Sequence, residues 1–169
     1  MEIRVLNARD AADFQSLRLE ALRACPTAFT SSYEEERETP LAQVAERLVQ
    51  TPNGVVLGAF EEGVLIGMAG LYRERARKLA HKGVVWGVYV AAAFRKRGVG
   101  KRLIAEALRQ AAGMPGMRQL NVGASTANPA AIALYESLGF EKFGLERGFM
   151  SVDGVLYDEF QMSRLVAKS

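Results

Sequence analysis

The sequence predicts an α/β fold, a mixed β-sheet of about seven strands with helices on both faces. A chain of 169 residues with 49% hydrophobic and 24% charged residues is large enough to bury one core and too apolar to be disordered. Apolar runs alternate with amphipathic segments in the order strand, two helices, three strands, helix, strand, helix, two strands. Strand–helix–strand connections lay their helices over a sheet. We expect a single domain over residues 1–169.

The N-terminal part predicts one strand and two helices. Residues 3–6 alternate as a strand does, and Asp10 is a candidate N-cap for the helix that follows. After a loop over residues 25–38, Thr39 followed by Pro40 is typical of a helix start with proline at the first helical position. The apolar face of the first helix carries Phe14, Leu17, Ala21 and Leu22, and that of the second Leu41, Val44, Ala45 and Leu48.

The middle of the chain predicts a hairpin, a strand and a helix. Apolar runs at 55–60 and 64–72 flank Glu-Glu-Gly, a spacing typical of a β-hairpin. A further strand covers residues 83–90. Residues 101–112 place apolar and charged side chains on opposite sides, as an amphipathic helix does.

The C-terminal part predicts strand, helix and hairpin. Residues 119–124 form a short apolar run, and Asn128 followed by proline indicates a helix that stops at Gly139. Two final strands, near 143–152 and 156–165, meet at an Asp-Gly turn. This completes the predicted sheet.

Positive charge is concentrated in the middle of the chain. The formal net charge is +3, yet residues 73–109 carry eleven Lys and Arg against Glu74 and Glu106, a balance of +9 that leaves −6 elsewhere. Such a patch favours a polyanionic ligand: a phosphate, a nucleic acid or an acidic membrane surface.

The cysteine, histidine and apolar residues of the sequence exclude several kinds of site and of segment. Cys25 is the single cysteine and His81 the single histidine, so an intramolecular disulfide and a Cys/His zinc site are excluded and no metal is expected. The N-terminus has no apolar export segment, and no run of about 18 apolar residues occurs. We therefore expect a cytoplasmic protein without a membrane partner.

The segment with the clearest chemistry runs from Trp86 to Leu103. It reads as an apolar strand, a basic turn with two glycines, and an amphipathic helix, and a helix N-terminus after such a turn is an anion cradle. A P-loop is excluded because Arg95 and Arg102 stand where it needs glycine and Ser or Thr. A dinucleotide fingerprint is excluded because Leu103 replaces its third glycine. Nucleic-acid binding ranks last, since no stacking aromatics are interleaved with the basic residues.

Two motifs here resemble the conserved blocks of the GNAT superfamily of N-acetyltransferases. The first is Arg95-x-x-Gly98-x-Gly100 after an apolar strand; the second is the block Asn128-Pro-x-Ala-x-x-Leu-Tyr135-x-x-x-Gly-Phe. The resemblance covers nearly the whole chain and implies a centrally splayed sheet. It also implies acetyl transfer from acetyl-CoA to a primary amine by direct attack in a ternary complex. The alternative is a GNAT-like module that binds acetyl-CoA without transferring it.

The resemblance also implies where acetyl-CoA binds. Turn amides would hold its pyrophosphate, and the edge of the preceding strand would pair with the pantetheine arm as an added strand does. A strand amide near Tyr89 or Val90 would polarise the thioester carbonyl. The predicted cofactor contacts are Val88, Tyr89, Val90, Arg95, Lys96, Arg97, Gly98, Val99, Gly100, Lys101, Asn128 and Tyr135.

Two of these residues have a structural alternative. Tyr135 matches the family tyrosine that protonates the CoA thiolate as a general acid, but its position on the apolar face of a helix also suits core packing. Asn128 matches the family asparagine that meets the pantetheine arm, and it also suits a helix N-cap. Both roles can coexist at Asn128.

The sequence indicates less about the acceptor site than about the acetyl-CoA site. The resemblance implies that the loop at residues 26–38 borders the acceptor site. Phe29, Tyr33 and Glu34 are then candidate contacts for a cationic amine; a solvated acidic loop is the alternative. The amine must lose a proton before it attacks. The base stays open between a water chain and the side chains of Glu34, Glu35, Glu36, Glu159, Tyr89 and His81. The acceptor itself, a small molecule or a peptide, has no motif, and a homodimer is open because pairing is common in the family.

Overall fold

A computed structural model describes residues 1–166 as one mixed seven-stranded sheet with helices on both faces, which confirms the predicted fold class. The strands are β1 (Glu2–Val5), β2 (Gly54–Glu61), β3 (Val64–Arg73), β4 (Lys82–Val90), β5 (Gln119–Ser125), β6 (Glu141–Val152) and β7 (Val155–Leu165). The helices are α1 (Ala11–Ala24), α2 (Tyr33–Glu36), α3 (Leu41–Arg47), α4 (Val99–Ala112) and α5 (Pro129–Ser137). The last three residues of the predicted domain lie outside the described part.

The strand order is β1-β2-β3-β4-β5-β7-β6, and every neighbouring pair is antiparallel except β4 and β5. The central strands are buried on both faces, which is why β2 and β3 read as continuous apolar runs. Alternate residues point to two cores. One core packs against α1 and α3, and the other against α4 and α5. Within residues 1–166 no helix is long and apolar enough to cross a membrane.

The sheet opens in its centre, between β4 and β5. These two parallel strands pair at only three positions, from Lys82 opposite Gln119 to Val84 opposite Asn121. Beyond that point β4 continues to Val90 and β5 to Ser125 without pairing to each other. The register between β3 and β4 shifts by one residue where Gly87 adopts a φ of 62°. A bulge of this kind bends its strand, so β4 turns away from β5.

The first helix begins where we predicted, but Asp10 does not cap it. Its carboxylate accepts from the backbone N of Asn7 at 2.8 Å and pairs with Arg4 at 2.7 Å. The side chain of Asn7 instead accepts from Arg9 at the start of a 3-10 turn that precedes α1. The carboxylate is thus committed to Asn7 and to Arg4 of β1, so it is not available to cap α1.

The predicted loop over residues 25–38 contains one helical turn, α2. Ser32 and Glu35 form a capping box, in which each side chain bonds the backbone N–H of the other at 3.2 and 2.7 Å. The spacing Ser-x-x-Glu is the sequence signature of this motif, so the turn was detectable.

Two helix starts also differ from the predictions. Helix α3 begins at Leu41, one residue after Pro40, and ends at Arg47. Leu41 is 53% exposed although it lies on the same side of α3 as the buried Val44, because it is the first residue of the helix. Helix α4 begins at Val99, two residues before the predicted start, because Gly98 takes the N-cap position. Gly100 therefore lies inside the first turn of α4 and not ahead of it.

Candidate active site

Two cavities meet where β4 and β5 separate. The α4 groove, of about 440 Å³, lies between the end of β4, the start of α4 and α5. The β5 cavity, of about 780 Å³, lies between α1, the segment around α2, β4, β5 and β7. The residues that line both are Ala28, Phe29, Val88, Asn128, Ala131 and Tyr135. A ligand in one cavity therefore reaches a ligand in the other at the opening of the sheet.

The N-terminus of α4 forms one end of the α4 groove. Gly98 has a φ of 78°, and a β-carbon built there would meet nothing within 4 Å, so glycine is needed for its backbone conformation. A β-carbon on Gly100 would lie 3.1 Å from Leu134, so this glycine lets α4 approach α5. The first N–H groups of a helix have no partner within the helix, and its dipole is positive at this end. The turn is thus shaped to hold an anion.

The basic side chains of this turn point in different directions. Lys96 and Lys101 line the α4 groove. Arg95 also lines it, but its Nε donates to the carbonyl of Val90 at 3.0 Å. Arg97 pairs with Glu61 at 3.3 Å and is not among the groove residues.

The single basic patch that the charge count indicated does not exist. Arg73, Lys82 and the basic residues between them lie at the start of β4, whereas the basic turn follows its end. Nine residues of strand separate the two groups by about 26 Å. Arg109 stands in the last turn of α4. Only some of the basic residues counted in the +9 balance therefore lie near the α4 groove.

The free edge of β4 runs along both cavities. From Val85 to Val90 this strand pairs with β3 alone, so the backbone groups that face β5 are available to an extended ligand. The side chain of Tyr89 packs on the opposite face in the α1 core, and its hydroxyl donates to Glu20 at 2.9 Å. Burial, with help from the neighbouring Glu20 carboxylate, raises the pKa of Tyr89 to about 12. This phenol is therefore protonated at neutral pH and does not suit the role of base.

Asn128 caps α5 at the junction of the cavities. Its Oδ1 accepts from the backbone N of Ala131 at 3.1 Å, which is the capping role that the sequence left open. Its amide nitrogen has no hydrogen-bond partner within residues 1–166, and the residue lines both cavities. Capping thus leaves the amide group free to donate to a ligand.

Tyr135 lies at the same junction. Only 5% of it is exposed, and its ring packs against Phe140 with centroids 5.9 Å apart. Burial, and secondly the charge of Glu159, raises the pKa of its phenol far above the ordinary value. No residue in the described part hydrogen-bonds its hydroxyl. Tyr135 is thus both a core residue and a protonated group facing the cavities.

Glu159 is the carboxylate that the fold brings nearest to this chemistry. It lies on β7 opposite Ser125 of β5 and lines the β5 cavity. Its carboxylate occupies the space above Gly123, where a β-carbon would lie 2.2 Å from Oε1, and Gln161 donates to it at 2.9 Å. Burial raises the pKa of Glu159, and the Gln161 hydrogen bond opposes that shift.

The acidic loop borders more than one cavity. Phe29, Tyr33 and Glu34 together line a third cavity, between the segment around residues 26–34 and residues 149–153, and Phe29 also lines the α4 groove and the β5 cavity. The Tyr33 hydroxyl accepts from Arg23. The predicted trio thus shares this third cavity, and Phe29 alone of the three reaches the junction of the α4 groove and the β5 cavity.

The other candidate bases are also placed by the structure. Glu35 closes the capping box, and Glu36 turns inward to pair with Arg18 at 2.9 Å. His81 lies between the 3-10 turn Arg77–Leu79 and β4, and it lines none of the three cavities. Glu36 and Glu159 both line the β5 cavity, but Glu36 is paired with Arg18, whereas Glu159 has no ion pair within residues 1–166.

Sequence reasoning named Glu36 as a candidate base but missed the two arginines that pair with it in the β5 cavity. Arg18 and Glu36 are both less than 9% exposed, and Arg47 joins them at 3.5 Å from Glu36. The available signal was Arg18 itself, since it stands next to Leu17 on the buried face of α1. A charged residue on such a face is rarely buried without a partner. In residues 1–166 no group of three His, Cys, Asp or Glu side chains is arranged to hold a metal.

The raised pKa of Glu159 predicts that the stability difference between the parent protein and a Glu159 variant depends on pH. The folded protein binds this proton more tightly than the unfolded chain, so the contribution of Glu159 to stability is full below the unfolded pKa and is lost as pH rises through the folded pKa. We expect Glu159→Gln, which does not ionise, to gain stability relative to the parent as pH increases. Urea unfolding from about pH 4 to about pH 8 measures this difference.

Exposed Glu141 on β6 provides the control, because Glu141→Gln removes one surface carboxylate of the same hairpin. A stability difference for Glu159→Gln that stays constant with pH would contradict the burial argument.

The sequence and the fold were compared with known proteins. Residues 18–140 match the Acetyltransferase (GNAT) family. The chain is 37% identical over 118 residues to the N-alpha-acetyltransferase RimI of Mycobacterium tuberculosis, a match that covers 70% of each chain.

Two solved structures have the same fold. An acetyltransferase of the GNAT family from Streptococcus pneumoniae superposes with a TM-score of 0.87 at 22% identity, covering 98% of this chain and 99% of that one. A GNAT superfamily phosphinothricin acetyltransferase from Sinorhizobium meliloti, solved in complex with acetyl-CoA, gives 0.81 at 26% identity, covering 98% and 88%. The family match spans more than half of the chain, and it agrees with the resemblance seen in the sequence. This protein belongs to the GNAT family of acetyltransferases.

Proposed function

We propose that residues 1–169 form a single, cytoplasmic N-acetyltransferase domain that moves an acetyl group from acetyl-CoA to a primary amine by direct attack. The observation that carries the proposal is the junction of the two cavities at Val88, Asn128 and Tyr135. A cofactor arm along β4 and an acceptor in the β5 cavity would meet there. Direct attack follows because both reactants reach the same point at once, so no covalent enzyme intermediate is needed.

The residues of the α4 groove fit acetyl-CoA. The N-terminal amides of α4, the open backbone at Gly98 and the side chains of Lys96 and Lys101 would hold its diphosphate. The free edge of β4 from Val88 to Val90 would pair with the extended pantetheine arm. When bound, acetyl-CoA supplies a thioester whose acetyl carbon is open to a nucleophile. The acetyl-CoA complex of the Sinorhizobium meliloti relative supports the same ligand here.

We assign the role of base to Glu159. A protonated amine has no lone pair, so one proton must leave it before or during attack. Glu159 lines the cavity in which the amine would lie, and its raised pKa makes it a stronger base than an exposed carboxylate. It would accept the amine proton while the nitrogen forms its bond to the acetyl carbon.

We assign the role of acid to Tyr135. As the carbon–sulfur bond breaks, the departing thiolate takes up the electron pair and needs a proton. The phenol is protonated and faces the α4 groove. Burial also raises the pKa of a thiol, so the departing sulfur binds a proton more tightly in this low-dielectric site than in water.

The two groups assist each other through their charges. The Glu159 carboxylate raises the pKa of Tyr135. When Glu159 accepts the amine proton it becomes neutral, so the phenol becomes a stronger acid at the moment the thiolate forms. Before attack the protonated amine gives one proton to Glu159, and Tyr135 gives one proton to sulfur as the carbon–sulfur bond breaks. The nitrogen loses its second proton as the amide forms; this proton replaces that of Tyr135, and Glu159 releases its own to solvent.

The acceptor class is a small molecule or peptide that carries a primary amine. The relatives include an N-alpha-acetyltransferase and a phosphinothricin acetyltransferase, so their names cover both kinds of acceptor. The half-open β5 cavity has walls of both aromatic and charged side chains, among them Trp86, Arg18 and Glu159. This lining suits a compact acceptor with polar groups.

The function is tested by release of CoA thiol when the protein is mixed with acetyl-CoA and a panel of amines. We expect amine-dependent release, and we expect Tyr135→Phe to lower kcat by about a hundredfold or more with little change in acetyl-CoA affinity, because the phenyl ring keeps the packing and loses the proton. Absorbance of released thiol and calorimetry of acetyl-CoA binding measure the two quantities.

Equal kcat for parent and Tyr135→Phe would remove the acid role. Tight acetyl-CoA binding without thiol release for any amine would favour the non-transferring module instead.

The α4 cradle is tested with a matched pair of glycines. Gly98 and Gly116 have φ values of 78° and 75°, and a β-carbon on either would meet nothing within 4 Å. Alanine at either position therefore costs about 1 kcal/mol of backbone strain. We expect Gly98→Ala alone to weaken CoA binding, by about tenfold or more, because it disturbs amides that hold the diphosphate. Calorimetry measures affinity, and thermal unfolding checks that the two variants lose equal stability. Equal CoA affinities would exclude this cradle.

A further inference from the structure

Arg18 carries a buried donor group without a partner. Its side chain is 8% exposed, and Nε and Nη2 both donate to the Glu36 carboxylate, at 3.3 and 2.9 Å. The third nitrogen, Nη1, is buried with no hydrogen-bond partner in residues 1–166. A buried charged donor left unpaired is strongly unfavourable, so native proteins seldom keep one without a ligand or water.

The unpaired nitrogen lies at the wall of the β5 cavity. Arg18 lines that cavity, and its Nη1 is the one heavy atom within 4 Å of the position that a β-carbon on Gly87 would take, at 3.8 Å. Gly87 also lines the cavity, beside Val88 at the junction with the α4 groove. The guanidinium is held in place by Glu36 and by the ring of Phe29, whose centroid is 5.0 Å from Cζ. Nη1 is thus a fixed donor close to the opening of the sheet.

One carboxylate is shared by two arginines beside this donor. Arg18 and Arg47 both pair with Glu36, so this cluster of three sums to +1, and the other carboxylates of the cavity, Glu35 and Glu159, pair with neither arginine. All three line the β5 cavity, and Arg47 is 40% exposed there. A carboxylate on a ligand would neutralise the cluster and would accept from Nη1, and guanidinium groups recognise carboxylates with high geometric specificity.

We propose that Arg18 binds the carboxylate of the acceptor, and that the acceptor is a free amino acid or a close analogue. This inference rests on the proposed acetyl transfer and names the acceptor class for it. An α-amino group is two bonds from the carboxylate carbon. A carboxylate on Arg18 beside Gly87 therefore places the amine near Val88 and the junction, where the thioester would lie. Glu159, on the far strand β7 of the same cavity, provides the negative charge that suits the amine.

The test uses matched acceptors that differ only in the carboxylate. For each amino acid of a panel, its amide and its decarboxylated amine are titrated by calorimetry into the wild-type protein saturated with CoA, which cannot react. We expect the amino acid to bind about tenfold to a hundredfold more tightly than its two analogues, because the amide loses the negative charge and the amine also leaves Nη1 unpaired. The same ranking is expected for kcat/KM when acetyl-CoA replaces CoA.

Arg18→Lys tests the residue itself. Lysine keeps the charge but loses the planar donor group, so the affinity for the amino acid should fall by about tenfold while that for the amide stays unchanged. Arg4→Lys is the control, since it removes another arginine–carboxylate pair, that with Asp10, outside the β5 cavity. The comparison of matched acceptors uses only the wild-type protein, so it still tests the proposal if Arg18→Lys misfolds.

Equal or weaker binding of the amino acid relative to its amide overturns the proposal. So does tighter binding of dipeptides with an acidic second residue than of any free amino acid, because the carboxylate would then come from a peptide. Failure of the proposed function would be seen separately, as absent thiol release or absent acetyl-CoA binding. The calorimetric ranking of acceptors does not depend on turnover, so the two results can be distinguished.

Discussion

The short pairing between β4 and β5 is the constraint on which the site depends. Three residue pairs hold the two strands together at one end, and the bulge at Gly87 turns β4 away at the other. A closed sheet would satisfy these backbone groups with each other and would leave no passage between its faces. The opening instead leaves a strand edge for an extended ligand, and it joins the α4 groove to the β5 cavity. Every proposed contact of cofactor and acceptor lies along this gap.

Burial then sets the chemistry of the groups around the opening. Tyr135 and Glu159 both lie in surroundings that disfavour their charged forms, and burial is the largest cause of the raised pKa of each. Arg18 and Glu36 are also buried, but they are paired, and burial and pairing act on Glu36 in opposite directions with a net lowering of its pKa. The cavity thus contains one carboxylate made more basic and another held ionised by arginine. This difference separates a residue suited to proton transfer from one suited to positioning.

Local patterns predicted most elements because each has its own signal. The hairpin between β2 and β3, the amphipathic face of α4 and the capped start of α5 at Asn128 all depend on residues close in sequence. Predictions failed where contacts between elements decided the outcome. Asp10 pairs with Arg4 of β1 instead of capping α1, and Leu41, the first residue of α3, is exposed although it shares a side of the helix with the buried Val44 and Leu48. The acidic loop was treated as one surface, although α2 sends Glu34 outward and Glu36 into the core.

The sequence by itself determined the family, the element order and the glycine turn before α4, because these follow from spacing along the chain. It also identified Tyr135 and Asn128 as residues of interest. Only the tertiary structure separated the basic residues at the two ends of β4, and only it set Glu159 of β7 in the same cavity as Arg18 of α1. It also brought Phe29, alone of the predicted acceptor contacts, to the junction of this cavity with the α4 groove. Arg18 and Glu159 are more than one hundred residues apart in sequence. Their proximity depends on strand order and on the splay of β4 from β5, and neither leaves a local pattern.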